Sequence, residues 1–454
     1  KAKIVVIGDV GMKLEREPFY EKELDFLISR SYGPGRYDPL YEEKGLDYPI
    51  EYVRWTENRN MQAFLDLLEA CKVDLKPLIS KIFSIDEASN AYLYAMQGEE
   101  RPLGILLTYD PSQYITEKRE IKVERKIPIV PRKVEGKINV AVVGAGDFAE
   151  SILLPILRNM PDYNLKSVVT ATGIHAKQIA KKFGAEYCTT EYKDILEDGD
   201  VDLIVIATPH NLHYPMVIEG IKTGKTIFVE KPLCLTETQL EDIEKLVSET
   251  KTPLFVGFNR RYSPLSIKAK ELLGRRHRPY LIVYRVNAGF IPKSHWIQDP
   301  EVGGGRIIGE CCHFFDLLNY FIEANVEGIQ VSTASVNNTS VVARDNLATT
   351  IKWSDGSVST MIYTALGHQA LPKESIEIFA DGRSMVLDDF KELRLYGFDE
   401  GGVRLRRQDK GHAQELIEIA RFMQGKKSNV MKFEDVVKAM KITFEVEDQA
   451  RKTP

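Results

Sequence analysis

The sequence has few cysteines, no long apolar run and no excess of basic residues, and each absence narrows its possible functions. Its cysteines are odd in number, scattered and without C-x-x-C spacing: Cys71, Cys188, Cys234, Cys311 and Cys312. That pattern favours reduced thiols in a cytoplasmic protein over a disulfide framework or a structural zinc site. No segment approaches the roughly 20 apolar residues of a membrane span. A net charge of -5 argues against nucleic-acid or anionic-membrane partners.

The remaining pattern predicts an α/β protein of several domains. Residues 1–110 read as a partial α/β segment, and prolines punctuate a charged linker over 111–136 at Pro111, Pro128 and Pro131. Residues 137–258 alternate short apolar runs with helical patterns, which is typical of a parallel Rossmann sheet. Residues 259–454 contain many alternating strands, and Asp-Gly pairs at 355–356 and 381–382 indicate hairpins. We therefore expect an open, antiparallel-rich sheet in this α+β substrate-binding domain.

A glycine-rich turn follows the first strand of the Rossmann segment. "VAVVGAGDFAES" places Gly144, Gly146 and Ala149 in G-x-G-x-x-A spacing between a strand and a helix. Gly144 would permit the tight turn, Gly146 would let a pyrophosphate approach, and Ala149 would let the helix pack on the strand. This predicts a dinucleotide site that includes Ala145, Asp147 and Phe148.

The choice between NAD and NADP stays open in the sequence. The second strand ends in Thr170, Ala171 and Thr172, where an acidic residue would mark NAD and an arginine would mark NADP. Threonine can serve either cofactor, so Thr170 and Thr172 are predicted ribose contacts and the cofactor is NAD or NADP.

Polar side chains also follow three later apolar strands. "ATPHNLHYP", "VEKP" and "GFNRRY" place these groups at the carboxyl ends of neighbouring strands, the edge at which open parallel sheets bind ligands. The predicted cofactor contacts are Thr208, Pro209, His210, His213, Glu230 and Lys231, and the predicted substrate contacts are Asn259, Arg260, Tyr262, Trp296 and His313. A lysine at a strand end is ordinarily a solvated surface residue. We predict a functional role for Lys231 because other polar side chains follow the neighbouring strands at the same sheet edge.

The stretch "GGGRIIGECCHFFDLLNY" allows a metal site, a reactive thiol or a proton-transferring histidine. On a regular helix, Glu310, His313, Leu317 and Tyr320 share one face, whereas Cys311 lies with apolar residues on the other. Three successive helical residues cannot converge on one metal, so we predict no metal site and two core cysteines. His313 can be a packed histidine or an acid/base group, because imidazole titrates near neutrality.

These motifs, in this order and spacing, resemble the Gfo/Idh/MocA family, which includes glucose-fructose oxidoreductase and inositol dehydrogenase. The resemblance covers residues 137–454 and implies hydride transfer between nicotinamide and a carbinol carbon of a sugar, cyclitol or nucleotide-sugar. It implies that Lys231 holds the reacting hydroxyl, that His313 is the acid/base, and that the protein is a homo-oligomer. Many relatives carry an aspartate four residues before this histidine. Here that position is Gly309, so either the neighbouring Glu310 orients His313 and the substrate, or the site works with fewer groups.

The segment before the linker has a different resemblance. "FYEKELDFLISRSYGPGRYDPLYEEKGLDYPIEYVRWTENRN" is similar to the distal portion of a zinc-type medium-chain alcohol dehydrogenase. Neither zinc ligands nor a glycine-rich turn accompany it, because Cys71 is its one cysteine and no histidine precedes His175. We therefore expect a fusion protein whose natural chain begins upstream of Lys1.

Two other functions remain open at this point. Some members of the resembled family use bound NAD to assist glycoside cleavage, and a hydrolase of that kind would show no net reduction of added NAD. A non-catalytic dinucleotide-binding scaffold is the third interpretation, favoured by the Gly309 departure. We predict an NAD(P)-dependent dehydrogenase acting on CH–OH groups, with Lys231, His313 and Glu310 as its catalytic groups.

Overall fold

A computed structural model describes residues 2–7, 11, 14–29, 33–42, 47–97, 102–109, 134–274, 279–334 and 342–452. Two compact units divide the chain, Lys1–Glu124 and Arg125–Pro454. Nearly all of the predicted linker, including Pro111, Pro128 and Pro131, lies outside the described residues. Among the described helices, none combines the length and apolarity that crossing a membrane requires.

The first unit contains two pairs of parallel strands with short helices between them. β1 pairs with β2, and β3 pairs with β4. Its elements are β1 (Lys3–Val6), α1 (Arg16–Glu21), β2 (Asp25–Ile28), α2 (Pro39–Glu42), α3 (Glu57–Glu69), β3 (Ile79–Ser84), α4 (Ala88–Gln97) and β4 (Gly104–Thr108). The apolar face of α3 stays exposed within this unit, because Met61, Phe64 and Leu65 are all largely accessible.

The second unit begins with a six-stranded parallel sheet in the order β10-β9-β8-β5-β6-β7. Its strands are buried apolar runs, as expected for a parallel sheet covered on both faces. The elements are β5 (Ile138–Val143), α5 (Leu154–Asn159), β6 (Tyr163–Val169), α6 (Gly173–Phe183), β7 (Tyr187–Thr189), α7 (Tyr192–Glu197), β8 (Leu203–Ile206), α8 (His213–Thr223), β9 (Thr226–Val229), α9 (Glu237–Thr250) and β10 (Leu254–Val256). This is the predicted Rossmann architecture, with β5 and β8 adjacent at the point where strand order reverses.

An eight-stranded sheet in the order β12-β13-β14-β11-β15-β16-β17-β18 completes the fold. The remaining elements are α10 (Pro264–Leu273), β11 (Leu281–Asn287), α11 (Cys312–Ile322), β12 (Val326–Thr333), β13 (Leu347–Trp353), β14 (Val358–Thr364), β15 (Glu374–Ala380), β16 (Arg383–Asp388), β17 (Glu392–Tyr396), β18 (Val403–Arg404), α12 (His412–Met423) and α13 (Phe433–Lys452). Both predicted Asp-Gly hairpins form, between β13 and β14 and between β15 and β16.

The sheet is antiparallel-rich, as predicted, and one of its strand pairs is parallel. β11 pairs in parallel with β14 and antiparallel with β15. The parallel pair arises because the chain leaves β11, forms α11 and two further strands, and returns beside β11 in the same direction.

The C-terminal helices join the two halves of the second unit. Leu416, Ile419 and Met423 of α12 are buried in the core on one face of the Rossmann sheet. α13 contributes to two cores, with Met440 beside the Rossmann strands and Val446 beneath the large sheet. This return of the chain brings the residues just before α12 to the carboxyl edge of the Rossmann sheet.

Candidate active site

A cleft of about 720 Å³ lies at the carboxyl edge of the Rossmann sheet, facing the large-sheet half of the same unit. It gathers most of the side chains predicted from sequence. The predicted residues that line it are Gly144, Gly146, Asp147, Phe148, Thr208, Pro209, His210, His213, Glu230, Lys231, Asn259, Arg260, Trp296, Glu310 and His313. Residues far apart in sequence therefore converge on one space.

The glycine-rich turn has the shape that a dinucleotide requires. Gly144 has a φ of +87°, and a Cβ there would come within 2.7 Å of the Ala207 carbonyl group. Gly146 faces open space, because a Cβ at this position would have no neighbouring atom within 4 Å. A helical segment follows directly, as a π-helix over Ala149–Leu153 that continues into α5. Gly144 is thus required by packing and Gly146 by ligand approach, and the turn fits a bound pyrophosphate.

The predicted ribose contacts lie outside the cleft. Thr170 is buried, and its hydroxyl donates to the carbonyl oxygen of Thr172 at 2.8 Å. Thr172 is exposed at the N-terminus of α6. Ala145 is also buried, and its carbonyl oxygen lies 3.0 Å from Nε2 of His175. Thr170, Thr172 and Ala145 therefore stay predicted contacts for a part of the cofactor that extends beyond the cleft.

Lys231 is tied to the segment that carries His313. Its Nζ donates to the carbonyl oxygen of Gly309 at 3.0 Å. The neighbouring Glu230 is buried, which raises the pKa of its carboxyl group to about 7 despite the opposing charge of Lys231. Glu230 also explains a glycine in the next strand end, because a Cβ at Gly257 would lie 2.9 Å from the Glu230 carboxylate oxygens.

His313 lines the cleft as a buried, neutral imidazole. Burial, followed by the positive charges of Arg260 and Lys231, holds its pKa well below 6.5. Among the described residues, no group hydrogen-bonds its Nδ1, and the edge of the ring contacts Phe258 with centroids 5.8 Å apart. A neutral imidazole that lines the cleft can accept a proton from a bound ligand.

The helix bearing His313 is not regular, which corrects the predicted face. Ile307–Cys311 is π-helical and only Cys312–Ile322 is α-helical. The wider π turn shifts the residues before Cys312 relative to those after it. Glu310 and His313 both reach the cleft, whereas Leu317 is completely buried in the core beneath the large sheet.

Glu310 has different partners from those predicted. Its carboxylate accepts hydrogen bonds from Arg306 at 3.0 Å, from Tyr363 at 2.5 Å and from Lys373 at 2.5 Å. These interactions outweigh burial and hold its pKa far below 4.5. Its oxygens are already engaged by these three groups and no described hydrogen bond joins it to His313, so a role in orienting His313 stays a prediction. Glu310 fixes two cations at the cleft wall.

The two adjacent cysteines are core residues, as predicted. Cys311 is buried beneath the large sheet and Cys312 beside the Rossmann strands, so the pair connects two cores. Burial raises the pKa of both thiols, Cys312 to about 12. Within the described part of the chain, no group of three or more His, Cys, Asp or Glu side chains could hold a metal ion.

Tyr262 is a second correction among the predicted contacts. It is 5% exposed, and its hydroxyl oxygen accepts a hydrogen bond from the backbone N–H of Met431 at 2.8 Å. It does not line the cleft. Asn259 and Arg260 do line it, although Asn259 donates to the Lys410 carbonyl oxygen and Arg260 forms a bidentate pair with Glu374.

Sequence reasoning missed four basic residues in the cleft wall. Arg306, Lys373, Lys410 and His412 all line it. Lys373 precedes β15, and Lys410 and His412 precede or begin α12, so no local motif distinguishes them. His412 packs against Phe148 of the glycine-rich turn, with ring centroids 5.7 Å apart. His412 could be predicted as part of the cleft only if it were known that α12 packs back against the Rossmann sheet.

Gly309 is explained by a neighbouring side chain. A Cβ at this position would lie 2.9 Å from Cε1 of His210 and 3.3 Å from the Gly303 carbonyl oxygen. His210 is held there by a 2.8 Å contact between Nδ1 and that same carbonyl oxygen, and Trp296 lies edge-on to it at 4.9 Å. The His210 imidazole thus occupies the space that a side chain at position 309 would need.

We expect Gly309→Asp to destabilise the second unit by about 1–3 kcal/mol, because it overpacks this site. Comparing Gly309→Asp with Gly309→Ala separates the effect of added side-chain volume from the effect of added charge. In urea unfolding, the double variant with His210→Ala should lose less stability than the two single changes summed. Strict additivity would show that His210 does not exclude a side chain at 309.

Comparisons with known proteins agree with this architecture. Residues 138–258 match the NAD-binding Rossmann fold of an oxidoreductase family, and residues 275–379 match the C-terminal α/β domain of the same family. These two stretches are similar to the two domains of the Gfo/Idh/MocA oxidoreductase family. The protein is therefore an oxidoreductase with an NAD-binding Rossmann domain. Neither match extends to residues before 138, so the medium-chain dehydrogenase resemblance of the first unit stays a prediction.

Curated relatives and solved structures cover different shares of the chain. Scyllo-inositol 2-dehydrogenase (NAD(+)) of Bacillus subtilis is 28% identical over 210 residues, 45% of this chain and 60% of that protein. Myo-inositol 2-dehydrogenase of Thermotoga maritima is 24% identical over 275 residues, 59% of this chain and 80% of that protein. Levoglucosan dehydrogenase in complex with NADH and levoglucosan has a TM-score of 0.61 at 21% identity, covering 70% of this chain and 98% of that one.

Proposed function

We propose that this protein oxidises a secondary alcohol of a sugar or cyclitol with NAD, or reduces the corresponding ketone. The observation that supports this most directly is the convergence of Lys231, His313 and the Gly144–Ala149 turn on one cleft. The relatives that act on inositols and the structure holding levoglucosan support a polyhydroxylated substrate.

The chemistry assigns one step to each group. When bound, the nicotinamide supplies the acceptor for the hydride that leaves the carbinol carbon. The C–H bond breaks, the carbon–oxygen bond becomes a carbonyl, and the hydroxyl proton must leave. Lys231 donates a hydrogen bond to the reacting oxygen and stabilises the developing alkoxide. His313, neutral before reaction, takes the hydroxyl proton and returns it in the reverse direction.

A panel of substrates tests the proposal. We would measure NADH formation from NAD with myo-inositol, scyllo-inositol, levoglucosan and aldose sugars as added alcohols. Stoichiometric NADH and ketone from at least one compound is the expected result. Glycoside cleavage without net NADH would favour the NAD-assisted hydrolase instead, and NAD binding without any turnover would favour a scaffold. Homo-oligomerisation and the first unit's origin remain predictions that this assay does not address.

A further inference from the structure

The wall of the cleft carries two clusters in which two basic side chains share one carboxylate. Glu310 is shared by Arg306 and Lys373, and Glu374 is shared by Arg260 and Lys410. Each cluster therefore holds two cations around one anion. A ligand of opposite sign can pair with the positive charge that each shared carboxylate leaves over.

The two clusters adjoin each other, because Lys373 of one and Glu374 of the other are consecutive residues. Lys410 is two residues from His412, whose ring contacts Phe148 of the glycine-rich turn. Lys373 belongs to the large sheet, because its carbonyl oxygen accepts the backbone N–H of Asn287 at the end of β11. Lys373 thus reaches the cleft from the large sheet, whereas the glycine-rich turn belongs to the Rossmann sheet.

The ammonium group of Lys373 is held in place and stays accessible to a ligand in the cleft. Glu310 Oε1 holds Nζ at 2.5 Å, and the side chain is still 37% exposed. One N–H is directed to the carboxylate, which leaves donor capacity for a ligand. The charge also lies close enough to His313 to contribute to lowering the pKa of that imidazole. Lys373 therefore faces the same space in which the reacting alcohol would lie.

Arg306 is the second cation paired with Glu310, and its hydrogen bonds hold the cluster in place. Its guanidinium donates to the carbonyl oxygens of Gly289 and Ala288 and to Glu310, while its buried Nε has no partner among the described groups. The arginine, Glu310 and Tyr363 thus fix the position of Lys373 without neutralising its charge.

We propose that the substrate carries an anionic group, a carboxylate or a phosphate, which binds Lys373 while the alcohol to be oxidised lies at Lys231 and His313. This rests on the proposed function and narrows its substrate class from polyols in general to sugar acids or sugar phosphates. Arg306 and Glu310 are positioning residues for this subsite, since they act through Lys373.

Binding to the NADH-loaded protein tests the subsite without requiring turnover. D-glucose, D-glucuronate and D-glucose 6-phosphate would be titrated by calorimetry at low and at raised ionic strength. We expect at least one anionic sugar to bind about 10-fold or more tightly than glucose, with an advantage that salt reduces. Whichever of the two anions binds more tightly shows whether the subsite prefers a carboxylate or a phosphate. If glucose binds as tightly as both anions, or if neither anion binds, the inference is wrong.

Variants of Lys373 test whether its ammonium group is the group that binds the anion. Lys373→Met should weaken anion binding by about 10- to 100-fold, far more than it weakens glucose binding, and Lys373→Arg should recover most of the loss. Lys352→Met, an exposed lysine paired with Glu327 on the sheet, is the matched control and should change nothing. Unchanged anion affinity in a folded Lys373→Met protein would overturn the assignment. If NADH formation from neutral polyols persists meanwhile, the proposed function stands and only the anionic subsite falls.

Discussion

Lys231→Ala should abolish turnover, lowering kcat/KM by a factor of about 10³ or more, while NAD affinity changes by less than about threefold. The reason is that the ammonium group would stabilise charge that develops on the substrate oxygen only during reaction, in a cleft where such interactions are strong. The glycine turn that would bind the pyrophosphate involves other residues. An interaction made mainly in the transition state lowers kcat and kcat/KM together.

The measurement combines steady-state kinetics on the substrate found in the panel with NAD titration by fluorescence. Lys222→Ala provides a matched control, since Lys222 is an exposed lysine of α8 in the same Rossmann half. Thermal unfolding shows whether loss of the Lys231–Gly309 hydrogen bond has disturbed the fold. Lys231→Arg keeps the charge but changes its shape, and it should remain strongly impaired. Wild-type kcat in a folded Lys231→Ala protein would remove this lysine from the mechanism.

The parts of the site predicted from sequence are those that follow from strand ends. In a parallel sheet, residues directly after successive strands meet at one edge, so Thr208, Lys231 and Asn259 could be brought together without coordinates. The glycine spacing indicated the turn at 144–149 for the same reason. Both features depend on contacts within or next to a single βα unit, where sequence patterns are informative.

The parts that were missed depend on contacts between distant segments. Lys373 and Lys410 reach the cleft because the large sheet and the return of α12 bring them there, and no local pattern encodes either arrangement. The partners of Glu310 were not predicted, because Tyr363 and Lys373 lie more than 50 residues away and because a π turn changes the helical phase before His313. The sequence shows which residue types are present, but not which residues far apart in the chain come into contact.

His313→Gln should lower kcat by about 10²- to 10⁴-fold, because glutamine cannot accept the hydroxyl proton that general-base catalysis removes. His313→Ala should behave similarly, and added imidazole should restore part of its activity by entering the space left by the side chain. His368→Gln, an exposed histidine outside the cleft, is the matched control. A merely structural role for His313 would give no rescue by imidazole.

The pH dependence of kcat/KM supplies the sharper test. Burial and nearby cations lower the pKa of His313 well below 6.5, so the imidazole stays neutral at pH 6.5 and becomes protonated only in more acidic solution. Since the base must be neutral to accept a proton, its acid limb should appear below pH 6.5 and vanish in His313→Gln. Glu230, whose pKa is raised to about 7, would give a separate inflection near neutrality that persists in that variant. An acid limb identical in wild type and His313→Gln would assign the proton transfer to another group.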